Sequence, residues 1–166
     1  KHSLKVYAPA GTDEYWRHFL ASMRFDIETR MADEGRPDLA SLVELVTLAE
    51  GIVMDAGGTV VKAIRNVHPP LVDSFALRFD GSGTSVVFSG DTAFHPPLAE
   101  FAREAKLLIH EAMYPAGIDR LVARIGNGDD RLRHHMFASH TPVEDAGRIA
   151  QIANVGALAI NHMVPN

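Results

Sequence analysis

The chain has 166 residues, 46% of them hydrophobic and 22% charged, with a net charge of −5. That is enough for one globular domain with a real core. The absence of cysteine excludes disulfides and thiolate metal sites. No Lys/Arg block marks a nucleic-acid footprint, and no apolar run approaches a membrane span, so no nucleic-acid partner and no membrane are expected. Cytoplasm and periplasm both stay open as compartments.

In chain order, Leu4 to Ala8 alternates like a short strand closed by Pro9 and Gly11. Thr12 or Asp13 caps a helix expected to run to about Met31, with Trp16, Phe19, Leu20, Met23 and Ile27 near helical spacing. Residues 34–38 form a loop. Strands follow over Leu42–Leu48 and Val60–Val67, with a turn at Asp55–Gly58 between them. Phe75–Phe79 and Ser85–Phe88 read as a hairpin closed by Asp80-Gly81-Ser82-Gly83. After Asp91 the rhythm becomes strand and helix in alternation. A helix is predicted near 97–104, started by the Pro96-Pro97 pair, and a buried strand over Leu107–Ile109. One or two helices fill 115–136, an amphipathic helix runs from Pro142 to about Ala153, and Val155–Ile160 closes as a strand. This is an α/β chain, read as one domain with no internal repeat.

Two apolar runs end in side chains suited to metal ions. Val86-Val87-Phe88-Ser89-Gly90-Asp91-Thr92 delivers a carboxylate to a strand tip, and the run from Val155 to Ile160 delivers His162. Acids and imidazoles held at the ends of strands form rigid sites for hard-to-borderline cations. Asp91 also suits a plain turn bonding nearby amides, His162 a hydrogen-bonded strand end, and His68, before Pro69, a surface loop.

Five local words are similar, in order, to the metallo-β-lactamase-fold hydrolases of the ribonuclease Z and arylsulfatase-like branch. They are Asn66-Val67-His68-Pro69-Pro70, Phe88-Ser89-Gly90-Asp91-Thr92, Ala105 through His110-Glu111-Ala112, Ser139-His140-Thr141-Pro142 and Ala159-Ile160-Asn161-His162. The resemblance covers roughly residues 60–165 and implies a portion of a four-layer αβ/βα sandwich. It implies a dinuclear metal centre, usually zinc, whose activated water attacks an ester-type bond. His68, Asp91 and His162 match metal ligands, with Asp91 bridging both ions. His140 matches a group acting on the leaving group or oxyanion, though read alone it also suits a structural loop, and Glu111 either orients His140 or a ligand or is a solvent-facing or capping residue. The first metal motif of that family, His-x-His-x-Asp-His, occurs nowhere in the sequence. The domain is therefore expected to be incomplete at both ends, with that motif supplied by further residues or by a partner chain.

The expected function is metal-dependent hydrolysis of a phosphoester, sulfate ester or lactone in a small substrate. About 23 residues separate His68 from Asp91, too few for the RNA-gripping arm that bacterial tRNA-processing members carry there. The alternative is a non-catalytic binding or assembly protein lacking the first motif, and a homodimer stays open. His110 reads as structural, His95 as a helix-entry residue, and His134-His135 as exposed near the substrate mouth.

Overall fold

The computed structural model describes residues 3–126 and 130–165; Lys1, His2, Asn127, Gly128, Asp129 and Asn166 lie outside it. Among the described residues no helix is long and apolar enough to cross a membrane. The chain forms two compact units, residues 1–49 and 50–166.

In the first unit β1 (Leu4–Ala8) pairs in parallel with β2 (Val43–Thr47), Leu4 opposite Val43 and Ala8 opposite Thr47. Between them run α1 (Thr12–Ser22), α2 (Arg24–Glu34) and a 3₁₀ turn over Leu39–Leu42. The single expected helix is broken at Met23, whose φ of −93° and ψ of 5° leave the helical region. Neither helix contains a buried residue. The apolar stripe is half-buried at Trp16, Leu20 and Ile27 and exposed at Phe19 and Met23.

The second unit is a six-stranded sheet in plain sequence order, β3 (Gly51–Ala56), β4 (Thr59–Arg65), β5 (Phe75–Gly81), β6 (Thr84–Phe88), β7 (Leu107–Met113) and β8 (Leu158–Val164). β3 to β6 are an antiparallel meander, whereas β6, β7 and β8 are parallel and joined by helical crossovers. Parallel neighbours need such crossovers because a tight turn cannot return the chain to the same end. The crossovers hold α3 (Pro97–Phe101), then α4 (Pro115–Ile125), α5 (Arg131–Ser139) and α6 (Val143–Ala153).

Side-chain alternation puts Ala76, Arg78, Val87 and Leu108 on one face, since Arg78 lies opposite Val87 and Val87 opposite Leu108. Ala76, Val87 and Leu108 are fully buried there against Leu98, Ala102, Ile149 and Ala153 of the α3 and α6 segments. A fully buried Leu or Ile in such a layer stabilises by about 1.5–3 kcal/mol. Arg78 serves the same face differently: its Nη1 donates to the carbonyls of Phe101 and Arg103, each at 2.9 Å, at the end of α3. Those carbonyls have no partner within the helix, so the guanidinium fixes α3 against the sheet.

Because β6, β7 and β8 point the same way, their carboxyl ends open on one edge of the sheet. Open α/β sheets bind ligands at that edge.

Candidate metal centre

Asp91 stands three residues beyond β6, on a turn bound by its backbone. Asn66 Nδ2 donates to the Ser89 carbonyl at 2.6 Å, and Ser74 Oγ donates to the Asp91 carbonyl at 3.2 Å. Gly90 makes the turn possible. Its φ is +61°, and a Cβ there would lie 2.7 Å from the Phe75 carbonyl oxygen and 3.1 Å from Asn66 Nδ2. Gly90→Ala is therefore expected to destabilise by about 2 kcal/mol or more, from left-handed backbone strain and a clash with fixed main chain. A urea unfolding midpoint measures it.

His68 is brought in by the strand end that follows β4. The Val67 N–H donates to Thr92 Oγ1 at 3.2 Å, and the Ala93 N–H donates to the Val67 carbonyl at 2.7 Å. His140 ends α5 as its cap residue, and the next residue locks the loop to β7, the Met113 N–H donating to the Thr141 carbonyl at 2.7 Å.

Glu111 ties these segments together from inside β7. The strand runs four residues past the expected stop at Ile109, so Glu111 lies within it, 1% exposed. Its Oε1 accepts from the Thr141 N–H at 2.7 Å and the Thr92 N–H at 3.3 Å, and its Oε2 lies 3.4 Å from His140 Nδ1. That last contact is an ion-pair approach rather than an aligned hydrogen bond, since neither atom has a hydrogen-bond partner. The Glu111 carboxylate, joined by the charge of Asp91, lifts the His140 imidazole above its ordinary pKa against the opposing pull of burial. The solvent-facing reading of Glu111 is thereby excluded.

His162 sits at an irregularity in β8. Glu111 pairs with Asn161 and Ala112 pairs with Met163, so His162 has no partner on β7. Its φ is +42°. A bulge of this kind re-aims one side chain without changing the faces of the residues around it. It turns the imidazole towards the β6 turn, where Nε2 lies 3.2 Å from Asp91 Oδ2. A bulged residue in the left-handed region favours glycine. In the metal-free protein, His162→Gly is therefore expected to be about 1 kcal/mol more stable than His162→Ala. Chemical unfolding of the two variants side by side measures this, and equal stabilities would remove the strain argument.

The result is a cluster at the carboxyl edge of the parallel strands. Among the described residues, His68, Asp91 and His140 each offer a ligand atom, all within 4.8 Å of one another. The His140 ring lies 5.4 Å from that of His68 and 5.6 Å from that of His162, centroid to centroid. Two imidazoles and a carboxylate are a zinc-type donor set, and His68 Nδ1 is buried without a hydrogen-bond partner. The residues present therefore fit a divalent ion. Sequence reading assigned His162 rather than His140 to the metal; the fold brings both to Asp91.

His110 is apart from the cluster, fully buried, with Nδ1–H donating to the Glu111 carbonyl at 2.6 Å. Burial lowers its pKa, which keeps a neutral, structural imidazole. Sequence reading gave no role to two frame residues, Asn66 and Ser139, and read His134-His135 as exposed near the substrate mouth; His134 is exposed, but His135 is half-buried. The His135 ring lies 5.8 Å from that of His68 and 6.3 Å from that of His140. Its four-residue spacing from Ser139, one helical turn that ends beside His140, was the available signal.

Comparison with known proteins agrees with this architecture. Residues 2–150 match the family model described as anti-Pycsar protein Apyc1. A ribonuclease Z of Mycobacterium avium (strain 104) is 31% identical over 162 residues, 98% of this chain and 55% of that protein. The chain thus spans about half the length of the relatives it matches. Among solved structures, the metallo-β-lactamase-fold protein YhfI of Bacillus subtilis superposes with a TM-score of 0.62 at 20% identity, over 98% of this chain and 53% of that one. Human tRNase Z, short form, gives 0.61 at 19% identity, over 98% and 62%. The chain has the metallo-β-lactamase fold and belongs to the family described as anti-Pycsar protein Apyc1.

Proposed function

We propose that the protein hydrolyses an ester-type bond in a small substrate with divalent metal, zinc by donor set, held at the edge cluster. The carrying observation is the convergence of His68, Asp91 and His140 ligand atoms within 4.8 Å, with His162 Nε2 3.2 Å from Asp91. In this reading His68, Asp91 and His162 would hold metal and a complete centre would take two ions, while His140, although its ligand atom lies within the cluster, is kept for the departing oxygen. A bound divalent ion supplies an activated water and polarises the scissile group. His140, with Nδ1 turned to Glu111, presents Nε2 to the departing oxygen as hydrogen-bond or proton donor. Glu111 positions that imidazole through the Thr92 and Thr141 backbone and does not touch substrate. Relatives named ribonuclease Z and tRNase Z favour a phosphoester among the candidate bonds.

A second reading has a specific observation behind it. The cluster among the described residues supplies ligand atoms for one ion, and the His-x-His-x-Asp-His motif is absent from the sequence. A two-ion centre needs about three protein ligands for each ion, so in this reading, unless further residues or a partner chain supply the rest, the one-ion cluster serves binding or assembly. Zinc titration followed by assay on bis(4-nitrophenyl) phosphate separates the two. Zinc-dependent release of nitrophenol supports the hydrolase. Zinc binding without turnover, at any zinc loading, supports the binding protein.

A further inference from the structure

Beside the cluster lies a cavity of about 490 Å³ lined by Pro69, Pro70, Asp130, Arg131, His134, His135 and Ala138. Its size is that of a site for a small organic group. Pro69 follows His68 directly, and the His135 ring stands edge-on to both His68 and His140. A substrate with its reacting group at the cluster would therefore extend along His135 into this cavity.

The tautomer of the neutral His135 imidazole follows by elimination. Ser139 Oγ donates its one proton to the Pro69 carbonyl at 2.9 Å, because a carbonyl can only accept. The same oxygen lies 3.3 Å from His135 Nδ1, so in that contact it accepts and Nδ1 carries the hydrogen. A neutral imidazole protonated on Nδ1 has its lone pair on Nε2.

We infer that His135 is a specificity-determining residue whose Nε2 accepts a hydrogen bond from an O–H or N–H group on the organic part of the substrate, seated in the Pro69–Ala138 cavity. The inference rests on the hydrolase reading for the word substrate but not for the pocket. It makes His135 a substrate contact and not a metal ligand. Ser139 is the positioning residue, holding at once the tautomer and, through Pro69, the cavity wall.

The test compares zinc-loaded parent protein with His135→Ala and His135→Phe, the latter keeping a flat ring without an acceptor. Two probes are used: thymidine 5′-(4-nitrophenyl phosphate), with O–H and N–H donors, and bis(4-nitrophenyl) phosphate, with none. Both variants are expected to raise KM for the thymidine ester about three- to tenfold, the range of one hydrogen bond, with kcat little changed. KM for the donor-free ester and zinc affinity should stay at parent values. Equal loss on both esters, no loss on either, or weakened zinc binding would overturn the assignment. Nitrogen-15 spectra of the metal-free protein should show His135 protonated on Nδ1; protonation on Nε2 would overturn it equally. If the parent cleaves neither ester, the hydrolase reading has failed. The pocket is then judged by dissociation constants of thymidine 5′-phosphate against phenyl phosphate in the same variants, and no difference between the two ligands overturns it.

Discussion

Asp91→Ala is expected to weaken zinc binding more than about a hundredfold, since even partners outside the coordination sphere contribute about 10–100-fold. The metal-free fold should keep its stability to within about 0.5 kcal/mol. The two expectations separate because the residue has two independent halves. Its carbonyl accepts from Ser74 Oγ and holds the turn, and alanine preserves that. Its carboxylate is 41% exposed, pairs directly with the partly exposed His162 and lies near His68 and His140 without a direct bond to either, an arrangement worth little without metal. Isothermal titration with zinc, alongside urea unfolding of the apoprotein, checks both. Parent-like zinc affinity in the variant would place the metal elsewhere and remove the site proposed here.

Glu111→Ala should destabilise the second unit by about 3–5 kcal/mol. Alanine leaves the Thr92 and Thr141 N–H groups without their acceptor and opens a cavity where a side chain 1% exposed had been. The β6 turn and the His140 loop lose their common anchor together, so zinc affinity falls with stability. Glu111→Gln distinguishes frame from charge. It keeps an oxygen for both amides and should cost only about 1–2 kcal/mol. With the negative charge gone, the His140 pKa should drop back towards its ordinary value. The sign for stability follows from linkage. A histidine whose pKa is raised by folding stabilises the folded state below its unfolded pKa of 6.5, and that contribution is lost as pH rises through the folded pKa. Metal-free parent protein should therefore lose stability above pH 6.5 through this group, and Glu111→Gln should lose less. Imidazole NMR titration and unfolding at several pH values test it; an unmoved His140 pKa in Glu111→Gln would show that Glu111 does not set it.

Much of this was legible in the sequence where pattern and local chemistry agree. β1 matches its alternation from Leu4 to Ala8, and the β5–β6 hairpin closes at its Ser82-Gly83 turn, both residues at positive φ. The four candidate residues His68, Asp91, His140 and His162 were read separately and meet in space. What the pattern hid is where long-range pairing overrides it. β3 was missed because Gly51 and Asp55 dilute its apolar run; β4 imposes the strand. β7 was read as ending at Ile109, where polar residues begin, yet β8 carries the ladder on to Met113. β8 itself starts later than Val155, since Gly156 lies against the Lys106 backbone as part of the connection. His135 is half legible: its place near the substrate mouth and its four-residue spacing from Ser139 can be read from the sequence, whereas its tautomer depends on what one serine proton does in space.

The bulge at His162 puts function and stability in opposition at a single position. Deleting this residue would let β8 pair with β7 in unbroken register and would abolish its positive-φ strain, so the sheet gains by losing the imidazole. Random libraries screened for thermal resistance alone should accumulate glycine or a deletion here, whereas screens for zinc retention should preserve the histidine. A ligand carried in regular strand geometry would show no such divergence between the two selections.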